Sequence, residues 1–255
     1  MAYHTKEEFK SDLISLGIKP GDTIFMHSSF KSIGEIEEGA SGLFSAILEL
    51  LGDEGTLLLP AFSYDFVGYE NPVFDRHETK SCVGFLPEYF RTSVEGVVRS
   101  MHATHSISAK GARANELISG HENDITPVGE NSPIIKLAKS GGKILLLGCS
   151  ADHLTIMHGV EEMAQPPYLF DRKNPVAYTL RDGDESITVR SLRHDFTKPD
   201  GDIYHQRYSR ILPLLTESEV SFGKVLEADC ALLSAEAVLE RGFDKILDDP
   251  FYFVD

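Results

Sequence analysis

Apolar residues in this chain alternate between helical spacing and short unbroken runs. Phe9, Leu13 and Leu16 recur at helical intervals, Thr5 and Glu8 have capping-box spacing, and Gly17 supplies a stop, so a helix is predicted over 5–16. Pro20-Gly21-Asp22 reads as a turn, followed by a short buried strand over 23–27 that ends in the polar run His27-Ser28-Ser29. Leu43, Ile47, Leu48 and Leu51 share one face of a second helix over 41–51. Residues 56–59 are apolar without alternation and close on Pro60, as expected of a strand covered on both faces. Residues 64–84 are polar, aromatic and punctuated by Gly and Pro, and read as a long irregular loop that serves a site.

Further helices are predicted over 83–91, from Ser132-Pro133 to Gly141-Gly142, over 152–163, and over 234–241 with Gly242 as the stop. The segment 96–99 leads into a strand, and 143–148 is the clearest central strand. A hairpin is expected over 178–190 about Asp182-Gly183-Asp184. Strands and helices alternate early and strands dominate later, which predicts an α/β protein with an antiparallel portion. The 255 residues are 42% apolar, enough for a sizeable core, and carry no repeat or low-complexity tract, so residues 1–255 are read as one domain.

Charge narrows the partners. With 24 basic against 40 acidic residues the formal net charge is -16. Such a chain repels phosphate backbones and anionic lipid, so no nucleic acid and no membrane surface are expected as partners. It attracts a cationic small molecule, although the same charge also simply keeps a protein soluble. Three cysteines without a CxxC pair argue against a disulfide framework or a cysteine zinc site. No basic-then-apolar leader opens the sequence and no apolar run nears the ~20 residues of a membrane span, so a cytoplasmic location is expected. Nothing sets the oligomeric state, and a homo-oligomer is compatible with the sequence.

Three polar clusters could carry chemistry. In Thr155-Ile156-Met157-His158-Gly159-Val160-Glu161, His158 and Glu161 share a helix face and Thr155 lies one turn earlier, an arrangement suited to a general base steadied by a carboxylate or to an ordinary solvated helix start. The segment Arg99–Ser106 holds Arg99, His102, His105 and Ser106. His102-x-x-His105 alone is a poor metal signal, and a loop that binds anionic or amide groups through Arg99 and its hydroxyls fits better. His27-Ser28-Ser29, with Ser32 nearby, could hold phosphate or pantetheine amides after a strand, but lacks the nucleotide P-loop pattern. Cys149 follows the strand over 143–148, where nucleophiles often sit, yet a free cysteine mostly behaves as a small buried hydrophobe.

The order and spacing of these blocks resemble the aminoglycoside 3-N-acetyltransferase family. The resemblance runs through Gly21-Asp22-Thr23 into His27-Ser28-Ser29, then 55–60, Gly84 to Arg91, Arg99 to Ser106, Gly111 and Ala114, Gly129 to Pro133, 145–148, Thr155-x-x-His158-x-x-Glu161, and Phe222 to Val225. It implies an α/β/α layered mixed sheet distinct from the small GNAT acetyltransferase fold. It implies acetyl-CoA as co-substrate without a metal, and acetylation of an amine on an aminoglycoside, or on a nucleotide-linked amino sugar in a biosynthetic pathway. By the same resemblance His158 is the catalytic base, with Glu161 and Thr155 beside it. Coenzyme A is expected at His27, Ser28, Ser29, Ser32, Arg99, His102 and Ser106. Ala103 stands where the family usually has Pro, which predicts a looser turn there. The 65–80 loop and Gln165-Pro166-Pro167-Tyr168 are expected to shape the acceptor pocket. Two rival readings use the same scaffold: a hydrolase with Cys149 or Ser106 as nucleophile, and an inactive binding module.

Overall fold

The computed structural model describes residues 3–170 and 174–255. In chain order the elements are β1 (Tyr3–His4), α1 (Lys6–Leu16), β2 (Thr23–Ser28), β3 (Glu35–Ile36), α2 (Gly39–Leu51), β4 (Thr56–Pro60), β5 (Val73–Asp75), α3 (Phe85–Ser93), β6 (Val98–Arg99) and β7 (Ile107–Gly111). There follow α4 (Ala114–Ile118), α5 (Pro133–Lys139), β8 (Lys143–Leu147), α6 (Ile156–Ala164), β9 (Val176–Asp182), β10 (Glu185–Ser191), β11 (Val220–Val225), β12 (Ala228–Ser234) and α7 (Ala235–Asp248). The capping box at α1 forms as its spacing predicts: Glu8 N donates to Thr5 Oγ1 (3.1 Å) and Thr5 N to Glu8 Oε2 (2.7 Å), and Gly17 takes the left-handed conformation at the end.

Seven strands form the main sheet in the order β11-β12-β8-β2-β4-β7-β6. Its centre, β8-β2-β4, is parallel, and its flanks are antiparallel. Because side chains alternate across a strand, each central strand feeds two cores. Phe25, Leu58, Ile144 and Leu146 pack with residues of α4, α5, α6 and α7, whereas Ile24, Met26, Leu57, Leu59, Leu145 and Leu147 pack with residues of α1, α2 and α3. That double coverage explains the unbroken apolar runs. A second sheet, β10-β9-β5, joins the antiparallel hairpin over the two-residue loop Gly183-Asp184 to a short parallel strand.

Three elements depart from the pattern reading. The expected irregular loop of 64–84 contains β5, whose Val73, Phe74 and Asp75 align with Thr179, Leu180 and Arg181; a strand this short leaves no readable alternation. The helix expected over 152–163 is broken at Leu154: a one-turn 3-10 helix, Ala151–His153, precedes α6, and the Thr155 N–H lies 3.5 Å from His27 Nε2 rather than inside a helical ladder. Gly242 does not stop α7, which runs on to Asp248. A side-chain carbon at Gly242 would lie 3.0 Å from Val160 Cγ1 and 3.1 Å from Cγ2, so this glycine is a contact surface between α7 and α6. Gly242→Val should therefore overpack that contact and lower unfolding free energy by about 1–3 kcal/mol. Urea denaturation checks this; an unchanged midpoint would show that the two helices separate without cost.

Candidate active site

The three parallel strands end side by side, and a ligand crevice in such a sheet lies beyond their carboxyl ends. Here β2 leads into His27-Ser28-Ser29, β4 into Pro60 and Phe62, and β8 into Cys149, and all of these line a cavity of about 760 Å³. Thr155 and His158 enter it from the start of α6, Thr104 and His105 from the turn between β6 and β7, and His194, Phe196 and Tyr208 from the segment after β10. The volume is within the usual range for small-molecule sites.

Among the described residues, hydrogen bonds hold His158 at Nδ1 alone. Its Nδ1 is 3.3 Å from Glu161 Oε2 and 3.0 Å from the Tyr208 hydroxyl, while that hydroxyl is 2.8 Å from Glu161 Oε2. A carboxylate can only accept, and Tyr208 has one proton, which it donates to Glu161. The His158 Nδ1–H is then shared between Glu161 Oε2 and the Tyr208 oxygen, so Nε2 carries the lone pair. Glu161 is fully buried, and its Oε1 accepts from Tyr168 Oη at 3.0 Å. Burial and the neighbouring Glu161 carboxylate push the Tyr208 and Tyr168 phenols upward, so both remain donors. Tyr208 is 47 residues from Glu161 in sequence, and no local pattern marks it.

A second carboxylate repeats the arrangement. Glu162 Oε1 lies 2.8 Å from His194 Nε2 and also accepts from Val128 N at 2.8 Å. Burial pushes the Glu162 carboxyl up to about 7. His105 Nδ1 is 2.9 Å from Thr104 Oγ1. His194 escapes the sequence reading, because a lone histidine in a polar stretch gives no signal.

The expected coenzyme residues divide. His27, Ser28 and Ser29 line the cavity, and Ser28 Oγ is buried without a hydrogen-bond partner among the described residues. Ser32 is not among the lining residues; its hydroxyl donates to Ser29 Oγ at 2.8 Å. Of the Arg99–Ser106 segment, Thr104 and His105 line the cavity, whereas Arg99, His102 and Ser106 are not among the lining residues. Arg99 Nε donates to Ser106 Oγ (2.9 Å), Nη2 to Ala61 O (2.7 Å), and Nη1 to Thr79 O (2.5 Å) and Arg76 O (3.2 Å). Its cation also sits 4.7 Å from the Phe74 ring centroid, so its donors tie backbone together rather than face a ligand. Ser106 Oγ donates to Ala61 O (2.8 Å). His102 Nδ1 accepts from the backbone of Thr104 (3.3 Å) and His105 (3.0 Å). With Ser63 Oγ donating to Ala103 O (2.7 Å), these bonds fasten a turn that the loss of Pro predicts to be loose. Residues 65–80 and Gln165–Tyr168 also stay off the lining; Tyr168 instead supports Glu161.

Among the described residues, two that line the cavity carry fixed charge, Asp152 and Arg193. Cys149 lines the cavity, but burial pushes its thiol up to about 12, and Ser106 is fully buried in structural bonds. Neither has the depressed pKa or adjacent base of an activated nucleophile.

Comparison with known proteins places the chain in a family. The family model described as aminoglycoside 3-N-acetyltransferase matches residues 25–246. The chain belongs to the aminoglycoside 3-N-acetyltransferase family. Aminoglycoside N(3)-acetyltransferase VII of Streptomyces paromomycinus is 31% identical over 243 residues, covering 88% of this chain and 81% of that protein. Aminoglycoside N(3)-acetyltransferase III of Serratia marcescens is 34% identical over 193 residues, covering 69% and 70%. Among solved structures, AAC-IIIb in its binary complex with CoASH superposes with a TM-score of 0.83 at 25% identity, covering 97% of both chains. A mutant of AAC(3)-IVa in complex with a gentamicin superposes with a TM-score of 0.80 at 26% identity, covering 99% of this chain and 92% of that one. Family membership matches the resemblance read from the sequence blocks, and the mixed α/β fold is that of these acetyltransferases rather than the small GNAT fold. Among the described residues no helix is long and apolar enough to cross a membrane.

Two outcomes follow from the buried polar groups. Burial holds His27 down to about 3 and His102 to about 4, and holds His105, His121 and His194 well below the ordinary histidine value. Above about pH 6.5 these rings are neutral in folded and unfolded chains alike. Below it the unfolded chain takes up protons that the folded chain does not, so stability falls as the pH drops, by up to ~1.4 kcal/mol per pH unit for each ring. Glu162 and Asp124, both raised in the fold by burial, contribute the opposite slope, Glu162 over roughly pH 4.5–7, two groups against five. Urea midpoints measured from pH 7.5 to 4.5 should decline steadily below about pH 6.5; a flat profile would contradict neutral burial of the histidines. Separately, Arg99→Gln should cost at least about 3 kcal/mol of stability. Coenzyme affinity of the folded fraction, measured by calorimetry, should stay unchanged; a selective loss of affinity would restore Arg99 as a ligand residue.

Proposed function

We propose that this chain transfers the acetyl group of acetyl-CoA directly to an amine of an aminoglycoside or closely related amino sugar, with His158 as the base. The observation that carries this reading is that His158 lines the cavity with its Nδ1 held by Glu161 and Tyr208 and with no hydrogen bond to its Nε2 among the described residues. Coenzyme A bound to AAC-IIIb and gentamicin bound to the AAC(3)-IVa mutant support it.

The residues fit the coenzyme. Ser28 Oγ is an unpartnered buried group at the cavity wall, able to bond an amide of the pantetheine arm, and His27 and Ser29 flank it. Acetyl-CoA supplies a thioester carbonyl. The neutral acceptor amine attacks that carbon while His158 Nε2 takes the proton the nitrogen sheds. The C–S bond then breaks, and the imidazolium returns the proton to the departing thiolate. Glu161 stabilises the imidazolium by accepting from Nδ1–H throughout, and the amino end of α6 beside Thr155 contributes positive potential to the cavity. Asp152 is the carboxylate able to hold an ammonium of the acceptor at the cavity wall. Direct transfer uses no covalent acyl-enzyme, in keeping with the inert Cys149.

His158→Ala should lower kcat by ~10²–10⁴-fold, the usual worth of a positioned base, while the dissociation constant of coenzyme A moves less than about threefold. Thiol release from acetyl-CoA over a panel of aminoglycosides and nucleotide-linked amino sugars checks rate and acceptor together. Undiminished turnover by the variant would remove His158 from the role; turnover only with the nucleotide sugars would move the substrate class.

A further inference from the structure

Three imidazoles meet at one side of the cavity. Among the described residues, His105, His158 and His194 each offer a ring nitrogen, and these atoms all lie within 4.8 Å of one another. Their rings touch, with centroids 4.6 Å apart for His158 and His194, 5.7 Å for His105 and His194, and 6.1 Å for His105 and His158. The acetyl transfer proposed above needs one of these rings. It gives no reason for the other two to converge on it.

The hydrogen bonds behind the rings decide which nitrogens are left free. Glu161 and Tyr208 hold His158 Nδ1, Glu162 holds His194 Nε2, and Thr104 Oγ1 holds His105 Nδ1. No protein hydrogen bond among the described residues uses His158 Nε2, His194 Nδ1 or His105 Nε2. Histidines that bind metal generally donate their far N–H to a carboxylate, carbonyl or hydroxyl, which fixes the tautomer and presents the other lone pair. Here all three rings have such a partner, and two of the partners are buried carboxylates on consecutive residues of α6.

We propose that His105 Nε2, His158 Nε2 and His194 Nδ1 form a three-histidine zinc site whose fourth position opens into the cavity, and that zinc there blocks acetyl transfer. Borderline-soft Zn²⁺ suits imidazole, and three histidines plus water is an established open-site set. A tetrahedral zinc with Zn–N near ~2.1 Å sets its ligand nitrogens about 3.4 Å apart, so the three rings must draw closer together to hold it. The metal would occupy the lone pair that takes the amine's proton. Metal binding stands on the three-ring geometry alone; the block rests on His158 as the base, and the two are read separately.

The test titrates chelator-stripped, full-length protein with zinc chloride, following binding by competition with a chromophoric chelator, then repeats the titration with cobalt chloride. The expected result is one zinc per chain with micromolar or tighter affinity and an intense tetrahedral cobalt spectrum. His105→Gln and His194→Gln should each weaken binding at least ~10-fold, and Glu162→Gln by ~10-fold or more through loss of the partner of His194. Circular dichroism of each variant establishes that it is folded. Acetyl transfer by the wild type should fall with the same midpoint as zinc binding. No stoichiometric binding, a weak octahedral cobalt spectrum, or variants that bind like the wild type would overturn the site. Zinc bound at these residues with acetyl transfer unaffected would overturn the block, and would count against His158 as the base as well.

Discussion

The buried carboxylate of Glu161 is the constraint around which the site is organised. A fully buried carboxylate is costly unless every strong acceptor direction finds a donor. Here the donors come from three places: His158 one turn back on α6, Tyr168 just beyond the helix, and Tyr208 from a 3-10 helix far along the chain. Meeting that requirement fixes the tautomer of His158, pins the segment carrying Tyr208 over the cavity, and sets where α6 points. The packing of α6 against α7 through Gly242 supports the same placement from behind.

The sheet supplies the rest. Parallel β8-β2-β4 bring His27-Ser28-Ser29, Phe62 and Cys149 to one edge of the crevice although they come from segments remote in sequence. The segment after β10 brings His194 and Phe196 to the cavity wall. Polar residues near this edge therefore serve two different ends. Ser28 Oγ is buried without a partner among the described residues, whereas Arg99, His102 and Ser106 spend their hydrogen bonds on backbone and on one another.

Much of this is legible along the chain. The α1 capping box, the covered strands β2, β4 and β8, and the His158–Glu161 pair follow from local spacing, because the interactions that produce them span only a few residues. The order of the blocks is enough to resemble the right family. What stays hidden depends on distant partners. Arg99 reads as an anion ligand because sequence shows a guanidinium but not the carbonyls of Ala61, Arg76 and Thr79 that consume it. Gly242 reads as a stop because only the facing Val160 gives it a reason to lie inside a helix. Tyr208, His194 and the pairing of β5 with β9 are contacts between segments remote in sequence, and periodicity carries no trace of them.

The tautomer of His158 is the most direct measure of the whole arrangement. Nitrogen NMR of the histidine-labelled protein, in mildly alkaline buffer and with His158→Gln used to assign the ring, reads it without turnover or ligand. The arrangement described here requires a protonated Nδ1 and a pyridine-like Nε2. A protonated Nε2 would leave the cavity without a base and contradict the account.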